Sequence, residues 1–187
     1  MGGTTNGNNA AADCRIVLVG MMGAGKSTVG QAISHATGWR YIDNDEVVAQ
    51  IAGMPTRELL QTRGEAAMRT AEAQALDQVL AMDTPLVAGA AAGVVLDKEL
   101  SARLHNGAFV VYLHADVETL AKRVEGTNRP WLGDDPAGTM RTLYAGREPL
   151  YQALAHLVVE VAGTTPDALA QQILDAVNAF PRRSPAS

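Results

Sequence analysis

Residues 20–27 are Gly20-Met21-Met22-Gly23-Ala24-Gly25-Lys26-Ser27, and they match the phosphate-binding loop pattern G-x-x-x-x-G-K-[ST] at every fixed position. The apolar, β-branched run Arg15–Val19 precedes this loop and predicts a buried strand. Residues 27–37 follow it and predict a helix with one apolar face, formed by Val29, Ala32, Ile33 and Ala36. A strand, a glycine-rich turn and a helix in this order form the context that the pattern requires.

The residue types of this loop suit the binding of phosphate. Glycines let backbone N–H groups come close to phosphate oxygens, and the start of a helix adds the positive end of its dipole. In this pattern Lys26 reaches the β- and γ-phosphates of a nucleotide, and the Ser27 hydroxyl ligates Mg²⁺. The alternative is a glycine-rich turn that binds nothing. It is disfavoured because the lysine and the serine match as well as the glycines do.

Composition limits the kinds of protein that the chain can be. Its 187 residues suit one α/β domain, and a hydrophobic fraction of 47% is enough for a core. The net charge of −5 argues against a nucleic-acid partner or an anionic membrane surface, and no apolar stretch approaches the length of a membrane span. Cys14 is the only cysteine, so no internal disulfide can form, which fits a cytoplasmic protein. We expect a monomer with one domain over residues 14–180 and disordered tails at 1–13 and 181–187.

Strand and helix patterns alternate about five times along the chain. This alternation predicts a doubly wound, three-layer α/β fold in which five parallel strands are flanked by helices. The third predicted strand covers residues 85–88 and leads into a run of small residues at 89–93. A helix over about residues 137–146 precedes Arg147, and Pro166 starts the last helix.

One carboxylate, Asp43, ends the second predicted strand, Trp39–Asp43, and another, Asp45, follows it. Asp43 and Asp45 come at the carboxyl end of this strand, which is where ligands gather in open α/β sheets. One carboxylate can serve Mg²⁺, directly or through water, and the other can take a proton from an attacking hydroxyl. For Asp45 the alternative role is a helix N-cap, and both roles are compatible.

Arg69 lies near the start of a long predicted helix, about residues 65–82, which follows a turn at Gly64. Taken alone, this arginine is either a ligand for an anion or the partner of Glu65 or Glu72 in a surface ion pair.

Residues 125–138 form a polar segment with two prolines and three glycines. Such a segment inside a compact domain is usually functional. We interpret it as a lid that closes over the nucleotide and supplies Arg129 to the transferring phosphate, and the alternative is a passive loop.

Four further motifs follow the phosphate-binding loop, and together they resemble the shikimate kinase family of P-loop small-molecule kinases. They are D-x-D at Asp43–Asp45, G-E-x-x-F-R-x-x-E at Gly64–Glu72 with Met68 in place of the aromatic residue, R-P-L-L at Arg129–Leu132 with Trp131, and R-x-P-x-Y at Arg147–Tyr151. The resemblance spans about residues 16–176. It implies a P-loop NTPase fold of the nucleoside-monophosphate-kinase-like type, with a lid. It also implies ATP-dependent phosphorylation of shikimate to shikimate 3-phosphate, a step of aromatic amino acid biosynthesis.

The resemblance implies a role for each matching residue. The residues implied to hold the ATP phosphates are Gly23, Ala24, Gly25, Lys26, Ser27 and Thr28. Ser27 and Asp43 are implied to serve Mg²⁺, while Arg123 and Pro166 flank the adenine. The residues implied to bind the substrate are Asp45, Arg69, Ala92, Gly93 and Arg147. Of these, Asp45 is the candidate base and the two arginines clamp the substrate carboxylate, a bidentate task that suits guanidinium. Arg129 neutralises charge on the γ-phosphate and, with Lys26, completes the implied catalytic set.

The chain departs from the family pattern on the acceptor side. Where the family has three consecutive glycines, this sequence has Ala91, Ala92 and Gly93. If either alanine must take a positive φ, we expect strain of about 1–2 kcal/mol. Leu60 and Met68 stand where the family has aromatic residues, and these more flexible side chains change the shape of the pocket.

Three interpretations follow. The chain is a working shikimate kinase with a loosened pocket, a kinase of another hydroxylated carbocycle or sugar acid, or an ATP-binding protein that has lost transfer activity. The retained Asp45, Arg69, Arg129 and Arg147 favour an acceptor that carries hydroxyls and a carboxylate. A nucleoside monophosphate kinase, a gluconate kinase and a switch GTPase fit the motifs less well.

Overall fold

The computed structural model describes residues 14–125 and 135–180. Within these ranges the chain forms five strands, seven helices and a 3₁₀ turn at Val94–Leu96. The strands are β1 Arg15–Val19, β2 Arg40–Asp43, β3 Leu86–Gly89, β4 Phe109–His114 and β5 Leu157–Glu160. The helices are α1 Lys26–Thr37, α2 Asn44–Ala52, α3 Thr56–Ala81, α4 Lys98–Gly107, α5 Val117–Val124, α6 Pro136–Leu154 and α7 Pro166–Ala179.

The five strands form one sheet in the order β2-β3-β1-β4-β5, and every neighbouring pair is parallel. This confirms the predicted fold. The central strand β1 is apolar on both faces, and its residues 16–19 are at most 1% exposed. A strand with this pattern has to be covered by helices on both sides, which is the arrangement of a doubly wound sheet.

The strand order determines which loops meet. Although β2 follows β1 in the chain, β3 lies between them in the sheet. The phosphate-binding loop after β1, Asp43 at the end of β2 and the small-residue loop after β3 therefore share the carboxyl edge of the sheet. Ligands bind at this edge in open α/β sheets.

The predicted turn at Gly64 is present inside α3, where Gly64 adopts φ 81° and ψ 176° and separates two helical segments. The N-cap alternative for Asp45 is wrong, because Asp43 is the N-cap residue of α2 and its side chain accepts a hydrogen bond from the Asp45 N–H. The helix α3 begins at Thr56, and Pro55 is its N-cap residue.

The helix predicted to end at Gly146 runs on to Leu154 as α6, through Pro149. A proline inside a helix removes one backbone hydrogen bond and costs about 3 kcal/mol. The second half of α6 nevertheless remains helical because Arg147, Tyr151 and Leu154 recur on one face and are all buried. Burial of this face offsets the cost of the proline.

The described part of the chain has no helix that is both long enough and apolar enough to cross a membrane.

Candidate functional site

The phosphate-binding loop has backbone angles that require glycine. Gly20, Gly23 and Gly25 have φ values of 142°, 83° and 90°. A Cβ on Gly20 would also lie 2.8 Å from the carbonyl oxygen of Leu113, so the loop packs tightly on the end of β4. The Lys26 ammonium group donates to the carbonyls of Gly20 at 2.8 Å and Met21 at 3.2 Å, which holds this cation across the loop.

The start of α1 is suited to an anion. Its N-cap residue is Gly25, and among the described residues no side chain caps this end and no acidic residue lies in the first turn. The first N–H groups of a helix lack partners within the helix, so they remain for a ligand. Ser27 and Thr28 are exposed in this first turn, while Ala24, within the loop, is buried.

Ser27 and Asp43 come together across the site. The Ser27 hydroxyl donates to Oδ2 of Asp43 at 2.9 Å, and Oδ1 of Asp43 accepts the Asp45 N–H at 3.0 Å. A hydroxyl and a carboxylate are hard oxygen ligands of the kind that Mg²⁺ prefers, so these two residues fit the implied ion. The described residues contain no group of three or more histidine, cysteine or acidic side chains that could hold a metal. A cation here would therefore need nucleotide phosphates and water as further ligands.

Asp45 is exposed at the first turn of α2. Its Oδ1 accepts a hydrogen bond from the Thr56 hydroxyl at 3.2 Å, so a residue at the start of α3 orients this carboxylate. Nothing in the local sequence around Thr56 indicated this contact, which depends on how α2 packs on α3.

Arg69 forms the expected ion pair with both candidate partners. It lies 2.8 Å from Glu72 and 3.1 Å from Glu65. Burial raises the pKa of Glu72, while the Arg69 charge acts in the opposite direction. Glu72 also interacts electrostatically with Asp45 and Arg147, so the predicted substrate residues lie in one neighbourhood.

The small-residue loop after β3 does not have the strain expected from its alanines. Within the described ranges no residue other than glycine has a positive φ, so Ala91 and Ala92 adopt ordinary angles. Gly93 has φ −89°, and the reason for a glycine there is space rather than angle. A Cβ at this position would lie 1.9 Å from Nη1 of Arg69.

Arg147 is buried, with 8% exposure, and its Nη1 lies 3.5 Å from the carbonyl oxygen of Ala92. The Tyr151 hydroxyl donates to the same oxygen. The Tyr151 ring stacks on Tyr112 of β4, with ring centroids 5.0 Å apart. Tyr151 therefore ties α6 to the small-residue loop. In the sequence, this role of Tyr151 was indicated only by its position four residues after Arg147, because residues at this spacing share a helix face.

The residues implied to bind adenine lie elsewhere on the same edge. Arg123, near the end of α5, donates from Nη1 to the Gly23 carbonyl at 3.2 Å, so it contacts the phosphate-binding loop directly. Pro166 is the first residue of α7 and is exposed. Arg129 and most of the predicted lid lie outside the described residues.

Leu60 and Met68 belong to the α2–α3 part of the molecule. Both side chains are half-buried, and Met68 packs against a small apolar cluster. The buried members of that cluster are Val47, Val48, Leu59, Ala71 and Ala75.

A cavity of about 460 Å³ lies beside Arg69, between α3, α4 and the loop after β3. Its wall is mainly apolar, with Leu76, Val94 and Leu100 among its residues. Lys26, Asp45 and Arg147 are not among the residues that line it. This cavity therefore has two of the predicted substrate residues, Arg69 and Gly93, in its wall, and no residue of the phosphate-binding loop lines it.

The family model described as Shikimate kinase matches residues 22–178 of the chain. A shikimate kinase of Streptomyces coelicolor is 42% identical over 164 residues, which cover 87% of this chain and 94% of the relative. A shikimate kinase of Marinomonas sp. strain MWYL1 is 38% identical over 165 residues, which cover 87% and 91%. The solved structure of shikimate kinase from Acinetobacter baumannii in complex with shikimate has a TM-score of 0.83 and 31% identity, and the match covers 89% of this chain and 93% of that one.

Proposed function

Because the chain belongs to the shikimate kinase family, a family of ATP-dependent phosphotransferases, we propose that it transfers the γ-phosphate of ATP to a hydroxyl of shikimate. The observation that carries this proposal is the meeting of two sets of residues at one edge of the sheet. The Ser27–Asp43 pair and Lys26 form the phosphate side, and the residues around Ala92 and Glu72 form the acceptor side.

The phosphate side has the groups that a nucleotide triphosphate needs. Backbone N–H groups at the start of α1 bind phosphate oxygens, and the Lys26 ammonium moves from its carbonyl partners to the β- and γ-phosphates. Ser27 and Asp43 hold Mg²⁺, which neutralises phosphate charge when it is bound. Arg123 stabilises the loop from the adenine side through the Gly23 carbonyl.

The acceptor side has the groups that a hydroxylated carboxylate needs. Arg69 and Arg147 bind the carboxylate, because two guanidinium groups can make charge-assisted, bidentate hydrogen bonds to it. Asp45, which Thr56 orients, accepts the proton of the attacking hydroxyl. Glu72 holds Arg69 in place, so the clamp is formed before the substrate arrives.

The remaining parts of the proposal rest on motif and composition. Arg129, in a lid over about residues 125–138, would add positive charge near the transferring phosphate. Residues 14–180 would form one kinase domain, and the single cysteine and acidic net charge fit a cytoplasmic monomer.

One measurement separates the proposed acceptor from the alternatives. ADP release is followed with ATP and Mg²⁺, with and without shikimate. We expect release that depends on shikimate at above about 1 s⁻¹, the low end of common turnover numbers. If ATP binds but shikimate adds nothing, the proposal is wrong, and a panel of cyclitols and sugar acids then tests for another acceptor. The replacements at Ala91, Ala92, Leu60 and Met68 are the reason for including this panel.

A further inference from the structure

The hydroxyl of Tyr41 joins the Ser27–Asp43 pair. It donates to Oδ2 of Asp43 at 3.1 Å, and the same oxygen accepts the Ser27 hydroxyl at 2.9 Å. Neither the phosphate-binding loop pattern nor the D-x-D pattern includes position 41, so the sequence motifs do not predict this contact. Tyr41 is thus a third residue at the predicted cation site and the second there that bears a hydroxyl.

The ring of Tyr41 occupies a slot between two glycines. A Cβ built on Gly30 of α1 would lie 2.2 Å from the ring, and one built on Gly89, the last residue of β3, would lie 3.0 Å from the hydroxyl oxygen. Any larger residue at Gly30 would collide with the ring. The slot therefore sets the position of the hydroxyl through packing against two different elements, and not only through its own hydrogen bond.

The two oxygens of Asp43 have separate partners. Oδ1 accepts the Asp45 N–H and caps α2, while Oδ2 accepts the hydroxyls of Ser27 and Tyr41. When the Ser27 hydroxyl turns to ligate a cation, Oδ2 loses one donor and keeps the other. Tyr41 is then the side chain that prevents this carboxylate from rotating about its Oδ1 anchor.

We propose that Tyr41 is a positioning residue for the divalent cation of the phosphate side, which it serves by holding Asp43 through Oδ2. This inference rests on the proposed function only in placing Mg²⁺ between Ser27 and Asp43. Partners of this kind orient ligands without touching the ion, and their loss commonly weakens metal binding or activity by 10- to 100-fold. Because one hydrogen bond is involved, we expect Tyr41→Phe to have an effect near the low end, about tenfold.

Tyr41→Phe removes the hydroxyl and leaves the ring in its slot, so the fold is expected to be retained. Tyr144→Phe is the matched control, because it removes a phenol hydroxyl that contacts His114 instead of the cation site. The first readout is binding of Mn²⁺, a paramagnetic substitute for Mg²⁺, to the complex of each protein with ADP. The second is the Mg²⁺ concentration that gives half-maximal turnover.

We expect Tyr41→Phe to weaken Mn²⁺ binding and to raise the half-maximal Mg²⁺ concentration by about tenfold, with ADP binding in the absence of metal unchanged. Tyr144→Phe should behave like the wild type in the metal assays. Equal Mn²⁺ affinity in the wild type and Tyr41→Phe overturns the inference, as does an equal loss in both variants. Since Mn²⁺ binding to the ADP complex needs no acceptor, the assay remains decisive even if shikimate is not the substrate.

Discussion

The guanidinium group of Arg69 lies against the bare Cα of Gly93, and a Cβ at that glycine would come within 1.9 Å of Nη1. Arg69 is held on its other side by Glu72, at 2.8 Å. A methyl group at position 93 would therefore have to displace the arginine from its ion pair. The third position of the loop 91–93 is thus where the guanidinium of Arg69 needs space, whereas the first two positions hold alanine.

This contact predicts a loss of activity for one substitution in the loop 91–93 and no change for another. Gly93→Ala should lower kcat/KM for shikimate by about 10²-fold, because a displacement of about 1 Å in a substrate-positioning group can have that effect. Ala91→Gly is the control and should leave the KM for shikimate near the wild-type value. Steady-state kinetics of both variants test the pair, and unchanged kinetics in Gly93→Ala would contradict the assigned role of Arg69.

Lys26→Ala should reduce phosphate transfer by about 10²–10³-fold, the loss that follows removal of one preorganised electrostatic donor. Lys98→Ala, an exposed lysine at the start of α4, should retain wild-type turnover. ADP release measures both. Near-normal turnover in Lys26→Ala would refute the assignment of the phosphate-binding loop.

Arg147→Lys keeps the charge but loses the planar fork of donors. We expect the KM for shikimate to rise tenfold or more, because a hydrogen bond to a charged group is worth about 1.5–3 kcal/mol, while the KM for ATP changes little. Arg141→Lys is the matched control on the same helix, where Arg141 is exposed and pairs with Glu118 at 2.9 Å. An equal rise of both KM values in Arg147→Lys would exclude a carboxylate clamp.

Arg15 stabilises the opposite edge of the sheet. Its guanidinium donates to the carbonyls of Val79, Met82 and Gly107, at the carboxyl ends of α3 and α4. Arg15→Ala should lower the free energy of unfolding by about 1–3 kcal/mol, since these carbonyls lose their charged donor. Arg103→Ala breaks a shorter contact, 2.6 Å to Asp77, yet should cost at most about 1 kcal/mol because both side chains are about half exposed. Denaturant titration compares the two variants, and the reverse order of stability would contradict this account.

The surroundings of His156 predict that the protein loses stability in mild acid. Its Nδ1 accepts the Val110 N–H at 3.1 Å, and its ring stacks on His105 with centroids 4.2 Å apart. Burial lowers the pKa of His156, and the neighbouring His105 lowers it further. The unfolded chain therefore binds a proton at a higher pH than the folded chain does. Stability is complete above the unfolded pKa, about 6.5, and falls as the pH drops through the lower folded value.

Urea titrations at pH 7.5 and pH 5.5 measure this effect. The wild type and His35→Gln, which changes an exposed histidine, should both lose stability at the lower pH. His156→Phe keeps an aromatic ring but has no titrating group at this position. Its free energy of unfolding should therefore fall less between pH 7.5 and pH 5.5. If the stability of His156→Phe fell as much as that of the wild type, a residue other than His156 would be responsible for the pH dependence.

The amino-acid sequence alone predicted the sheet, the phosphate-binding loop and the family. These features depend on short-range patterns, because a buried parallel strand needs a continuous apolar run and a phosphate cradle needs glycines at fixed spacing. The predicted end of α6 at Gly146 was wrong, because local propensity favours a helix end before Pro149. Burial of Arg147, Tyr151 and Leu154 against the rest of the molecule overrides that propensity.

The contacts that define the site depended on the tertiary structure. Asp43 meets Ser27 and Tyr41 meets Gly89 because β3 lies between β1 and β2 in the sheet, although it comes third in the chain. Likewise, whether Ala91 is strained and why Gly93 is glycine depend on backbone angles and on an arginine that is distant in the chain. Sequence spacing determines which residues can share a helix face or a strand end. Only the order in which the strands pair determines which of those ends face each other.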